Sequence, residues 1–253
     1  MSHPDGDRPR PIRGRHRPPG HGPAARPTRR RWSLLRKASV FLVTAIVGSM
    51  VIKAFLLQAF FIPSGSMEPT LHGCQGCVGD RVLVNKLADH IGGVHRGDIV
   101  VFRDPGGWLM HGFSAPASQS GVYSALEFLG LAASSSESNL VKRVIGVGGD
   151  TVQGRDGNVY VNGIRLVEPY VLPGDSPSDI DFKVIVPVDN LWVMGDHRSE
   201  SGDSRFQQQA TGKGFVPVKA VVGNAFAISS PLSRIGLLGR PATFDQVSAT
   251  TQR

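Results

Sequence analysis

Residues 38–52 carry no charged side chain, and that run, entered from an arginine-rich tail, constrains the chain more than any other stretch. A helix that spans a bilayer needs about 20 residues at roughly 1.5 Å rise. Residues 38–57 supply that length, with Lys53 near one end, where a lysine stem reaches the interface. The run is too long for an ordinary cleaved signal core. Ahead of it, cations crowd the segment from Arg8 to Lys37 against only Asp5 and Asp7, with prolines and glycines between them. Such a segment cannot bury enough apolar surface to fold, so residues 1–37 are expected to be a disordered basic tail. A net charge of +8 and a pI near 10.0 suggest nucleic acid when taken alone. The charge is concentrated in the tail, however, and the positive-inside rule reads such a flank as cytoplasmic. The expectation is therefore a single-pass protein of the cell (plasma) membrane. Its N-terminus is cytoplasmic, its main domain extracytoplasmic, and it has lipid but no nucleic acid as a partner.

Just past the apolar run comes FFIPSGSMEPTL, residues 60–71. Pro63 ends any helix arriving from the membrane side, because it lacks an N–H and biases the residue before it away from helix. Gly65 between Ser64 and Ser66 permits a bend from which two hydroxyls project. Alone, this is equally a Ser/Gly loop leaving a membrane helix. Far downstream, LVKRVIGVGGD at residues 140–150 reads as a buried β-branched strand interrupted by Lys142. A lysine there is ordinarily a snorkelling or edge-strand residue. Desolvated, it becomes a base, and a neutral amine beside a serine hydroxyl is the Ser-Lys form of nucleophilic catalysis.

A third stretch, GDHRSESGDSR at residues 195–205, completes an ordered set. Together, after a single apolar segment, the three closely resemble type I signal peptidases, the bacterial leader peptidases. The resemblance implies a membrane-bound serine endopeptidase that removes signal peptides after Ala-x-Ala-type sites, with no cofactor and no metal. Carried over residue by residue, it makes Ser66 the nucleophile and Lys142 the general base. Ser201 orients the amine, and Ser64 adds its hydroxyl to the Ser66 N–H as oxyanion donors. Phe60, Ile62, Pro63, Leu71, Leu140 and Val141 match positions lining small apolar pockets. Asp203 and Arg205 are expected to pair in support of the segment, and Asp196 and Arg198 to fix its turn. His197 stands where the family commonly has Asn. The implied partners are preprotein signal peptides, with no obligate protein partner.

The remainder reads as mainly β, an antiparallel β-sheet domain over residues 58–230 tethered by the one helix. Strands are expected at residues 79–86, 97–102, 182–186, 191–194, 217–222 and 225–228. Asp156-Gly157 and Asn162-Gly163 read as two-residue hairpin turns. Residues 104–139, rich in Gly, Ser and Pro, form an inserted excursion whose Trp108 and Phe113 are candidates for lipid headgroup contact. Residues 231–253 read as a loose C-terminal tail. Cys74 and Cys77 are the only cysteines, and outside the cytoplasm a local disulfide is the first choice.

Other readings compete. Residue 69 is Pro69, so no S-x-x-K motif follows Ser66. A repressor-type self-cleaving Ser-Lys protease is disfavoured by the apolar run and by the lack of a DNA-binding domain. A membrane-anchored, non-catalytic β-rich binding module remains as the alternative from another class. Lys142 exposed or far from Ser66 is what that reading requires.

Overall fold

The helix that opens the fold stops well before Pro63. In the computed structural model, which describes residues 29–74, 79–86, 93–108, 139–211 and 214–247, helix α1 spans Arg29–Leu56. Strand β1, Leu57–Phe61, follows at once and pairs antiparallel with β2, Arg81–Asn85, from Leu57 opposite Asn85 to Phe61 opposite Arg81. Pairing with β2 and burial of Phe60 therefore decide the conformation of these residues before Pro63 is reached. Residues 29–37 of the expected disordered tail are helical, and the rest of that tail lies outside the described residues.

Along α1 the apolar side chains of Leu34, Val40, Phe41, Leu42, Val43, Ile46 and Val47 are exposed. Among the described residues no helix is long and apolar enough to cross a membrane. The side chains of residues 50–56, part of the run on which the spanning expectation rests, lie outside that description. The chain divides into two units, Met1–Ile46 and Val47–Arg253. Every strand belongs to the second.

Two antiparallel sheets form that unit. The larger adds β3 (Ile99–Arg103), β4 (Asn139–Val147), β9 (Asn190–Met194), β10 (Val216–Pro217) and β11 (Val221–Ser230), in the order β1-β2-β11-β3-β4-β9-β10. A short β12, Gly236–Leu237, pairs with β11. The smaller runs β7-β6-β5-β8, from β5 (Thr151–Arg155), β6 (Asn158–Val161), β7 (Ile164–Arg165) and β8 (Phe182–Ile185). Its hairpins turn at Asp156-Gly157 and Asn162-Gly163, all four residues at positive φ, as a primed two-residue turn requires.

Strand β4 is central, between β3 and β9, which is why its apolar residues Val144 and Ile145 are fully buried. The two strands expected at residues 217–222 and 225–228 are instead β10, a 3₁₀ turn at Val218–Ala220 and one long β11. β11 stays continuous because it pairs with β2 on one side and β3 on the other, absorbing register shifts as bulges. One core cluster lies under β1 and β2, with Phe60, Ile62, Met67 and Leu71, and another joins Trp192 to the smaller sheet.

Two peripheral segments differ from their sequence reading. Trp108 is buried, edge-on to Phe102 with ring centroids 5.7 Å apart, and its backbone N–H donates to the Asp104 carboxylate. Packing against β3 thus takes the indole away from the headgroup role, while Phe113 lies outside the described residues. Residues 231–247 fold back on the domain, burying Thr243, Phe244 and Val247. Arginines do the fastening: Arg234 pairs with Asp80 and Arg240 with Asp98.

Candidate active site

A 3₁₀ turn at Gly65–Met67 shapes the serine loop. Ser64 enters it extended, the Glu68 N–H closes on the Gly65 carbonyl at 2.9 Å, and Met67, 1% exposed, pins the turn into the core. The hydroxyls of Ser64 and Ser66 come within 3.3 Å of one another. Strand β4 delivers the amine. Lys142, opposite Val100 of β3 and 3% exposed, hydrogen-bonds through Nζ with Ser66 Oγ at 2.6 Å. Burial lowers its pKa from 10.5 to about 8, with Arg205 acting in the same direction, while the Asp203 and Asp196 carboxylates oppose the shift. About a tenth of the amine is thereby neutral at pH 7, far more than for an ordinary lysine, beside a hydroxyl it can deprotonate.

The GDHRSESGDSR segment closes over this pair. Its Gly195 is required by close approach: a Cβ there meets both Ser66 O and Ser201 Oγ at 2.3 Å. The His197 N–H donates to Ser66 O at 3.2 Å, and its ring Nδ1 contacts Gly65 O at 3.2 Å. Asp203, fully buried, accepts from Arg205 Nε and Nη2 at 3.0 and 2.9 Å and from the Gly195 N–H at 3.1 Å. Asp196 and Arg198, by contrast, do not pair with each other. Asp196 takes a two-pronged bond from Arg143 at 2.9 and 2.6 Å and the Thr70 hydroxyl at 2.5 Å. Arg198 reaches Glu168 at 2.5 Å and the carbonyls of Gly195 and Pro177.

Ser201 is 2% exposed, and its Oγ has no hydrogen-bond partner among the described residues, Lys142 included. It follows the 3₁₀ turn Arg198–Glu200, and its hydroxyl is packed close against Gly195. Among the expected pocket residues, Phe60, Ile62 and Leu71 are buried in one cluster, with Val141 packed on it. Leu140 packs on a different cluster, with Val100 and Phe102, and Pro63 is exposed. Cys74 is disulfide-bonded, and the only other cysteine, Cys77, lies outside the described residues.

Sequence reasoning passed over a layer of support. Arg143 stacks its guanidinium 4.2 Å from the centre of the Tyr170 ring, and Tyr170 donates to Glu168 at 2.6 Å. Burial, reinforced by the Glu168 carboxylate, pushes the Tyr170 phenol well above its usual pKa, so it remains a donor. Arg143 carried a signal, a second cation in an apolar strand. Thr70, Glu168 and Tyr170 carried none, since each is an ordinary polar residue in a loop.

Comparisons with known proteins bear on this geometry. The family described as "Signal peptidase, peptidase S26" matches residues 34–230. Signal peptidase I of Mycobacterium tuberculosis is 41% identical over 232 residues, covering 84% of this chain and 78% of the relative. A probable signal peptidase I of Mycobacterium leprae is 39% identical over 232 residues, covering 82% and 80%. A probable signal peptidase I-2 of a Synechocystis strain is 34% identical over 212 residues, covering 83% and 80%.

Proposed function

The chain belongs to the signal peptidase family, peptidase S26, serine proteases that remove signal peptides, and from that premise we propose how its own residues do the work. Ser66 Oγ attacks the scissile carbonyl while the neutral Lys142 amine takes its proton. Charge developing on the carbonyl oxygen is met by the Ser66 N–H and the Ser64 hydroxyl. Collapse expels the amine of the mature protein, which leaves with the proton from the Lys142 ammonium. A water, deprotonated by the same amine, then hydrolyses the ester on Ser66 and restores the enzyme. The observation that carries this reading is the 2.6 Å approach of Lys142 Nζ to Ser66 Oγ by a lysine only 3% exposed. A non-catalytic binding module has no need of such a pair.

Substrate preference follows from the apolar surroundings. Phe60, Ile62 and Leu71, with Val141 packed on them, form one apolar cluster, and small apolar subsites built on it would admit alanine and exclude bulk, hence cleavage after Ala-x-Ala. Residues 38–57 anchor the enzyme in the membrane with residues 1–37 on the cytoplasmic side and the sheet domain outside. The reading is supported by the charge-free run, the arginines before it and the exposed apolar side chains of α1. Confinement of enzyme and preprotein to one surface raises their effective concentration without any new contact. Two measurements test the proposal. Purified enzyme cleaves a preprotein carrying an Ala-x-Ala site, and Ser66→Ala abolishes that cleavage. A reporter active only in the cytoplasm, fused after Arg253, stays silent; strong activity there is incompatible with the single-span topology.

A further inference from the structure

We infer that His197 is a positioning residue for the oxyanion donor, acting through the Gly65–Ser66 peptide bond. The Gly65 carbonyl accepts from the Glu68 N–H at 2.9 Å and meets His197 Nδ1 at 3.2 Å. A carbonyl oxygen only accepts, so the ring nitrogen carries the proton at this contact. That carbonyl and the Ser66 N–H are the two ends of one peptide unit. A donor on the oxygen fixes the plane of the unit and, by polarising it, strengthens the N–H at its other end. The His197 N–H holds the next carbonyl, Ser66 O, at 3.2 Å, so one residue grips the nucleophile from both sides. The Gly195 backbone beside it allows no retreat, because its Cα faces Ser66 O within the space of a missing methyl.

This inference rests on Ser66 being the nucleophile and its N–H an oxyanion donor. It adds that the histidine neither transfers a proton nor touches the substrate, and that it contributes only where charge develops on the carbonyl oxygen. An asparagine amide places an N–H close to where the ring Nδ1 lies, one bond beyond Cγ, whereas a glutamine amide lies one methylene farther out.

The test uses the full-length protein in detergent, an internally quenched peptide with an Ala-x-Ala site, and an aldehyde of the same peptide that adds reversibly to a serine. Loss of one hydrogen bond acting in the transition state corresponds to about a three- to tenfold fall in kcat. His197→Ala is expected to show that fall with KM unchanged and to bind the aldehyde more weakly by the same factor. Its affinity for a peptide with a reduced, non-cleavable bond stays as in the wild type. His197→Asn regains most of the loss and His197→Gln does not. The inference is overturned if His197→Ala keeps wild-type kcat, if aldehyde affinity does not change, or if Asn and Gln behave like Ala while all three lower the melting temperature alike. Ser66→Ala separates the two levels. Retained activity in that variant removes the nucleophile assignment itself, whereas a dead Ser66→Ala beside an unimpaired His197→Ala removes only the role of the histidine.

Discussion

A lysine that is to act as a base must lose its proton without leaving the protein, and Lys142 meets that condition through burial at a cost to stability. Its pKa falls from 10.5 to about 8, so kcat/KM should rise with pH through about 8, where an ordinary lysine would give no useful base. A rate profile flat between pH 6 and 9 would contradict the assignment. Lys142→Arg should nearly abolish turnover, since a guanidinium stays charged. The same shift has a stability consequence with a definite sign. Between pH 8 and 10.5 the unfolded chain holds more protons than the folded one, so stability rises with pH across that window; below it the full penalty is present. At about 1.4 kcal/mol per pH unit, Lys142→Met should be inactive yet more stable at neutral pH, by on the order of 3 kcal/mol in chemical denaturation. Ser64→Ala should cost on the order of 10²–10³ in kcat, as expected for one oxyanion donor. The close pair of Ser66 and Lys142 was legible because each breaks a pattern, one a proline-flanked Ser-Gly-Ser bend and the other an apolar strand. The surroundings of Ser201 were not, because where a hydroxyl points depends on packing against Gly195, about which the local sequence says nothing.

At the level of elements, the site depends on holding three segments in register: the serine loop, β4 and the segment after β9. Arg143 does this from the position next to Lys142, bonding Asp196 on one side and the Gly97 carbonyl on the other while the Thr70 hydroxyl donates to the same carboxylate. Both charges are essentially without solvent, 2% and 0% exposed, so removing one strands the other. Asp196→Ala should therefore lower stability by roughly 3–5 kcal/mol and reduce activity with it, measured by urea unfolding. A loss no larger than that of an exposed ion pair would show the network to be dispensable. The strands were readable where turns punctuate them. Asn162-Gly163 identified its hairpin because only such a pair accepts two positive φ angles, and the φ of +82° at Gly163 means that Gly163→Ala should cost about 1 kcal/mol. β1 and the continuity of β11 were not legible, for the converse reason. Each is set by partners distant in sequence, β2 for the first and both β2 and β3 for the second, and no local signal encodes a partner.

For the molecule as a whole, the sheet domain does not end where the family match ends, at residue 230. The residues that follow read as a loose tail in sequence, with only a short apolar run at residues 235–238, yet they hold together parts of the chain that are far apart. Arg234 bonds both oxygens of the fully buried Asp80 and donates to the Thr70 carbonyl, so the C-terminal segment grips the far end of the serine loop. Arg240 reaches Asp98, the Val247 carbonyl receives Arg96, and Phe244 stacks on Tyr170 in the layer that carries Arg143. Without this segment Asp80 would keep the His72 N–H as a donor but lose the cation it pairs with, and the Tyr170 ring would be opened on one face. A buried carboxylate deprived of its charge partner and an aromatic removed from a packed cluster each cost about 1–5 kcal/mol. A chain ending at Ser230 should accordingly unfold at markedly lower urea, and Arg234→Met alone should reproduce a smaller part of that loss, since its side chain is 28% exposed. An unfolding midpoint unmoved by the truncation would mean that the segment merely lies against a domain complete without it.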